Sequence, residues 1–251
     1  MSRVFCAGAA ARGRRLLVGS CAAASALLLF PGGGSSGRGA PASLADVVRR
    51  VDSGLMRVET RGCGRALSGT GFLVDSRHVA TAEHVVDGAL RIGLMRGGRL
   101  VGRGTIVGAD AAHDLALVRT DRPIAGHVFS LSRRRPRMSE DVAALGFPLG
   151  RPLTVARGFV RGTARTVPAG GAAGQPLIQT DAAVNHGDSG APLVSVSDGA
   201  VLGMVNLSSA RAGGPSFAVS ARVAEPLFAG WRSDPEAVPQ RPCRHAGGPL
   251  G

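Results

Sequence analysis

Lysine and tyrosine are absent from this 251-residue chain, and aromatic residues make up only 4% of it. With no tyrosine and few rings, small branched and aliphatic side chains have to fill the interior. All 30 basic residues are arginine, a chain-wide bias that weakens any reading of the +13 formal charge as a nucleic-acid signature. Single-strand binders interleave basic residues with aromatic stacking platforms, and no such interleaving occurs. Metal and nucleotide motifs are also lacking. The histidines and cysteines form no C-x-x-C or H-x-x-x-H grouping, and there is no GxxxxGK loop. No metal, cofactor or nucleic acid is expected.

What is present is a 44% hydrophobic content, enough for a substantial core in one domain or two small ones. The 38 glycines and 15 prolines fit many short strands joined by turns. The first 45 residues contain no acid. Arg12, Arg14 and Arg15 precede the apolar run "LLVGSCAAASALLLF", and Ala40 and Ala42 follow in an A-x-A arrangement. That is the layout of an export signal, and the run is short for a membrane span. Residues 1–42 are therefore expected to be a signal peptide cleaved near Ala42, with an uncleaved membrane anchor as the alternative. Arg14-Arg15 also admits a twin-arginine signal. Lipidation at Cys21 is disfavoured by the arginines close before it and by the apolar run that continues past it. An extracytoplasmic or secreted protein follows, with membrane contact only through an uncleaved N-terminal segment. Cleavage leaves two cysteines, Cys63 and Cys243, in an oxidising compartment, where they are expected to form a disulfide. Closing so long a loop stabilises by roughly 5 kcal/mol at most. Two free thiols are the other possibility, which a thiol count before and after reduction distinguishes.

From Ser43, "SLADVVRRV" has helical spacing behind a serine cap. Strand-like runs follow, "LMRVET", "TGFLV", "LRIGL" and "RLVGRGTIVGAD" about a glycine turn at 97–98, then "LALVRT", "DVAALGF", "LTVARGFV" and "PLIQTDA". "APLVSVS" and "AVLGMVNLSS" flank Asp198-Gly199, a strong hairpin signal. "ARVAEPLFAGW" reads as a terminal helix that Pro226 interrupts. Strands at this spacing indicate an all-β barrel or sandwich. The arginine-rich stretch at 132–141 divides the series in half, and its dense "SRRRPR" reads as a solvated linker.

Three segments stand out. "VATAEHVVDG" offers His84, "AAHDLALVR" offers Asp114, and "NHGDSGAPL" offers Ser189. A serine hydroxyl is a weak nucleophile alone. It needs an imidazole to take its proton and a carboxylate to hold that imidazole in the right tautomer. His113 adjoins Asp114, but on a strand the two would face opposite ways. The α/β-hydrolase serine motif fails, because Ala191 stands in its last glycine position and the order is His, Asp, Ser.

"SGTGFLVDSRHVATAEHVV", "HDLALVR", "LTVARGFV" and "QTDAAVNHGDSGAPL" resemble the trypsin-like serine proteases, and most of all their bacterial HtrA (Deg) branch, over roughly residues 45–230. The resemblance implies two six-stranded antiparallel β-barrels with the active site in the cleft between them and a short C-terminal helix. The N-terminal barrel would span 43–131, the linker 132–141, and the second barrel with its helix 142–231. A proline-rich tail at 232–251, too short for a PDZ module, would carry Cys243. His84 and Asp114 would come from the first barrel and Ser189 from the second, with the N–H groups of Gly187 and Ser189 as oxyanion donors. Asp188 resembles the residue that binds a new N-terminus in digestive trypsins, but no "IVGG" is present and no catalytic role is assigned to it. His186 stands where the branch has proline, and Ala191 where glycine is commoner. By the same resemblance Ala183 lies at the base of the primary pocket, Asn206, Leu207 and Ser208 near its entrance and Ser216 on its wall. Cleavage after small or medium aliphatic residues of protein or peptide substrates is expected. The alternative is a catalytically silent module of the same fold that holds peptides or unfolded proteins. Oligomeric state is not readable.

Overall fold

In a computed structural model of the chain, the described residues are 43–62, 64–164, 177–208, 214–235 and 238, without the side chains of residues 164, 207 and 208. The expected export segment at 1–42, both cysteines of the expected bridge, Cys63 and Cys243, and most of the 232–251 tail lie outside them.

Twelve strands form two closed antiparallel barrels. The first contains β1 (Leu55–Gly62), β2 (Arg65–Asp75), β3 (His78–Thr81), β4 (Arg91–Arg96), β5 (Arg99–Asp110) and β6 (Leu115–Thr120), hydrogen-bonded in the order β1-β2-β3-β6-β5-β4. The second contains β7 (Asp141–Gly146), β8 (Thr154–Ala164), β9 (Leu177–Thr180), β10 (Pro192–Ser195), β11 (Val201–Ser208) and β12 (Ser216–Ser220), in the order β10-β11-β12-β9-β8-β7. Helices α1 (Leu44–Val51), α2 (Glu83–Val86) and α3 (Ala221–Ser233) complete the described fold. This is the all-β, two-barrel architecture that the resemblance implied.

The shortage of aromatics shows in the cores. Val58, Leu73, Val79, Leu94, Leu117 and Val118 are fully buried in the first barrel, with Phe72 edge-on to Phe129 at 5.3 Å. Val142, Val160, Ile178, Leu193 and Leu202 fill the second. Each such side chain contributes about 1.5–3 kcal/mol on burial. Turn chemistry sets the hairpins: Gly97 and Gly98 both take positive φ between β4 and β5, and Gly199 does so between β10 and β11.

Helix α1 starts where its cap was expected. Ser43 Oγ accepts from the Asp46 N–H, and Asp46 Oδ2 accepts from the Ser43 N–H, a reciprocal capping box. The expectation that Pro226 interrupts the last helix is corrected, because α3 runs unbroken through it. Proline removes one backbone donor and costs about 3 kcal/mol in a helix interior. Packing outweighs that: Phe228 is buried, and Trp231 lies over Gly108 of β5, where an added Cβ would sit 2.0 Å from the indole. A helix that follows the second barrel thus packs on the first.

Arg133, Arg135 and Arg137 of the arginine-rich stretch are exposed, and backbone bonds fix its path. The Ser132 N–H donates to the Val201 carbonyl at 2.8 Å and the Val201 N–H to the Ser130 carbonyl at 2.9 Å. Arg133 pairs with Glu225 at 2.6 Å, and Arg134 pairs with Glu140. The Glu140 hydrogen bond, with the Glu140 and Asp198 charges adding to it against the pull of burial, holds the Arg134 guanidinium's pKa up.

Candidate active site

His84 sits on α2, the single turn that follows β3, with Val85 and Val86 buried beneath it. Asp114 ends the turn between β5 and β6 with φ of +54°, a left-handed conformation uncommon for any residue but glycine and eased in aspartate by local hydrogen bonding. Asp110 braces the turn leading into it: its Oδ1 accepts from the N–H groups of Ala112 at 2.8 Å and His113 at 3.0 Å. Its Oδ2 meets His113 Nδ1 at 2.8 Å. His113 and Asp114 therefore part company because both lie in a turn, not because a strand alternates; that expectation is corrected.

His84 Nδ1 lies 2.9 Å from both Asp114 carboxylate oxygens, and the His84 backbone N–H donates to Oδ1 at 2.9 Å. An ionised carboxylate only accepts, so Nδ1 carries the proton. The Asp114 hydrogen bond raises the His84 pKa, against the opposing pull of burial, with the Asp114 and Glu83 charges adding to the rise.

Ser189 lies between β9 and β10 in a loop gripped by both barrels. The Thr70 N–H of β2 donates to the Ser189 carbonyl at 2.8 Å, and Thr70 Oγ1 donates to the Gly187 carbonyl at 2.8 Å while accepting from the Phe147 N–H at 3.0 Å. From the second barrel, the Gly190 N–H donates to the Val205 carbonyl at 2.7 Å. The glycines are required here: Gly187 and Gly190 have φ of +99° and +86°, and a Cβ on Gly190 would sit 2.2 Å from the Thr70 carbonyl oxygen. The His186 carbonyl accepts from the Leu149 N–H at 2.7 Å. A trans peptide directs its N–H opposite to its carbonyl, so the Gly187 N–H points away from that contact. Asp188 is buried, its Oδ2 accepting from the Asn185 N–H at 2.9 Å, and burial pushes its carboxyl pKa up.

His84, Asp114 and Ser189 border one hollow of about 320 Å³ with Val184, His186 and Asn206. Ala183 is exposed and is not on that wall, whereas its buried neighbour Val184 is. Ser216 is buried, and its hydroxyl donates to the Ala182 carbonyl at 2.8 Å. Leu207 and Ser208 continue β11 opposite Phe217 and Ser216, and their side chains lie outside the described residues. Sequence reasoning passed over Thr70 and Asp110. Both lie in stretches that carried other signals, "SGTGF" and "GADAAHD", but nothing local marks a threonine or an aspartate as a clamp.

The trypsin-like peptidase domain family matches residues 69–204. A probable periplasmic serine endoprotease DegP-like of Marinomonas sp. (strain MWYL1) is 34% identical over 174 residues, which cover 68% of this chain and 36% of that protein. The serine protease Do-like HtrA of Bacillus subtilis (strain 168) is 34% identical over 160 residues, 60% of this chain and 35% of that one. The chain thus matches about a third of the length of these relatives. Among solved structures, the active form of a protease from M. tuberculosis superposes with a TM-score of 0.68 at 24% identity, covering 78% of this chain and 88% of that one. That likeness concerns the fold.

Proposed function

We propose, from the premise that this chain belongs to the trypsin-like peptidase family, that it is an exported serine endopeptidase acting through His84, Asp114 and Ser189. The observation that carries the reading is the grip of both Asp114 oxygens on His84 Nδ1. With Nδ1 donating, Nε2 is the nitrogen left to accept the Ser189 hydroxyl proton. Ser189 Oγ bonds to the carbonyl carbon of the scissile peptide, its proton passes to His84, and the carbonyl oxygen takes up negative charge. The N–H groups of Gly187 and Ser189 meet that oxygen. Each such donor is worth about 2.7–4 kcal/mol in the transition state. Collapse then breaks the C–N bond while His84 returns the proton to the leaving amine, and an ester remains on Ser189. Water, deprotonated by His84, attacks the ester carbon and restores the hydroxyl. Asp114 holds the tautomer and stabilises the imidazolium formed at each step.

An extended substrate backbone pairs with β11, where Asn206, Leu207 and Ser208 meet it, and Val184 stands on the pocket wall where Ala183 was expected. Val184 and Val205 on the wall of the hollow support cleavage after small or medium aliphatic residues. The word periplasmic in the name of the Marinomonas relative supports an extracytoplasmic setting.

A fluorophosphonate probe tests the chemistry. The full chain is expected to label, and Ser189→Ala and His84→Ala are expected not to. Well-folded wild type that fails to label overturns the reading in favour of a peptide-holding module. Cleavage of a peptide library only after arginine or lysine overturns the aliphatic preference.

A further inference from the structure

Away from the catalytic hollow, the outer face of the first barrel gathers arginines. Strand register sets Arg61 of β1 directly opposite Arg91 of β4, and Arg103 of β5 opposite Gly93, the next position of β4 on the same face. Arg65, at the start of β2, shares an open hollow of about 490 Å³ with Arg61 and Arg91. A second hollow, of about 410 Å³, joins Arg61 and Arg91 to Arg103. All four arginines are exposed. Glu59 is the one acid lining either hollow, and its Oε1 accepts from Arg57 Nη2 at 2.5 Å. Asp121 accepts from the Arg103 backbone N–H at 3.0 Å, not from its guanidinium. Like charges directly opposite on a sheet repel, so this face is incomplete without an anion.

Two leucines stand among the arginines. Leu90, 52% exposed, lines both hollows. Leu100, 42% exposed, lies over Gly93, where an added Cβ would sit 3.3 Å from its Cδ1. Leu90 is fixed in place, its N–H donating to the Arg61 carbonyl at 2.9 Å. A guanidinium fork matches phosphate oxygens, and a leucine beside it suits the apolar layer just beneath a headgroup. A soluble polyanion would leave both leucines in water. Nucleic acid would also call for stacking rings, and no aromatic residue lines either hollow.

We propose that this face docks on a bilayer rich in anionic phospholipid, with Arg61, Arg65, Arg91 and Arg103 on the phosphates and Leu90 and Leu100 entering the headgroup boundary. The export-signal layout of residues 1–42 brings the folded chain to such a surface. Neither hollow shares a lining residue with the catalytic one, so docking leaves His84 and Ser189 open to solvent. The docking does not rest on the peptidase reading.

The test is cosedimentation of the full chain carrying Ser189→Ala with vesicles of phosphatidylcholine alone or of phosphatidylcholine and phosphatidylglycerol in equal parts. A basic residue near an anionic surface is worth about fivefold in binding. Replacing Arg61, Arg65, Arg91 and Arg103 together by glutamine is expected to weaken binding to the anionic vesicles about a hundredfold and to spare the neutral ones. Replacing the exposed Arg77, Arg119, Arg135 and Arg137 removes the same charge elsewhere and is expected to cost about tenfold or less. Residues 1–42 are common to all these proteins, so their own affinity cancels. Equal losses from the two sets overturn the site, because net charge alone then explains the binding. Thermal melting checks that each variant folds. Leu90→Trp gives a readout that needs no loss of binding: on anionic vesicles with brominated acyl chains, the added indole is expected to be quenched, and an unquenched indole overturns the insertion. Leu90→Gln is expected to weaken vesicle binding about fivefold and to leave binding of dextran sulfate unchanged. Dextran sulfate bound as tightly as the vesicles, with Leu90→Gln affecting neither, identifies a soluble polyanion and overturns the membrane reading.

Discussion

At Asp114 the backbone turns left-handed, and Asp110, four residues earlier, holds the N–H groups of Ala112 and His113 that lead into it. Asp110→Ala should lower kcat by about tenfold or more while leaving KM nearly unchanged, because misplacing an orienting group costs rate rather than binding. Asp110→Asn keeps an oxygen for the turn N–H groups and should recover most of the rate, which steady-state kinetics on the two variants will check. His84 makes a prediction of opposite character. Activity needs its neutral form and its pKa is raised, so kcat/KM should climb with pH through a midpoint above that of ordinary histidine. Asp114→Asn should move that midpoint down and cost about 10⁴-fold in kcat. The same shift has a stability sign: the His84–Asp114 pairing stabilises the fold fully below the unfolded histidine pKa, and that contribution is lost as pH rises through the higher folded-state value. The kinds and order of the proposed catalytic groups stand in three short segments, because acyl transfer demands those groups. The supporting role of Asp110 was not legible there, because it depends on turn dihedrals that composition does not set.

Secondary elements were legible where local chemistry dictates them. The glycine pair at 97–98 and Asp198-Gly199 place their hairpins, since only such residues take positive φ cheaply. Ser43 and Asp46 cap α1 as a pair. Helix α3 was read as broken because Pro226 weakens it locally, and the contact that keeps it whole comes from a distant strand. That contact is testable. A Cβ on Gly108 would collide with Trp231, so Gly108→Ala should destabilise by about 1–3 kcal/mol, the usual cost of overpacking. Trp231→Ala should destabilise on its own, and the double variant should lose less than the sum. Denaturant melts of all four proteins measure the coupling.

Across the whole molecule, Thr70 is where one barrel holds the Ser189 loop of the other. Its hydroxyl serves the Gly187 carbonyl and the Phe147 N–H together. Thr70→Val keeps the shape and leaves both groups short of a partner, so it should cost about 1–3 kcal/mol in stability. It should lower kcat more than it raises KM, whereas a merely structural contact would leave the surviving folded enzyme with normal kcat. Active-site titration with the fluorophosphonate probe, combined with kinetics per labelled site, separates the two. The sequence by itself determined the β class, the two-part division and the turn positions, and it supplied the residue types of the proposed triad, because alternation, glycine placement and nucleophile chemistry are written within a few neighbouring residues. Only the tertiary structure decided that Thr70 would meet Gly187, 117 positions away, that Arg57 would meet Gly150, and that Trp231 would lie on Gly108. Those pairings follow from barrel closure and strand register, which arise from the sum of many weak long-range contacts and leave no local mark on the chain.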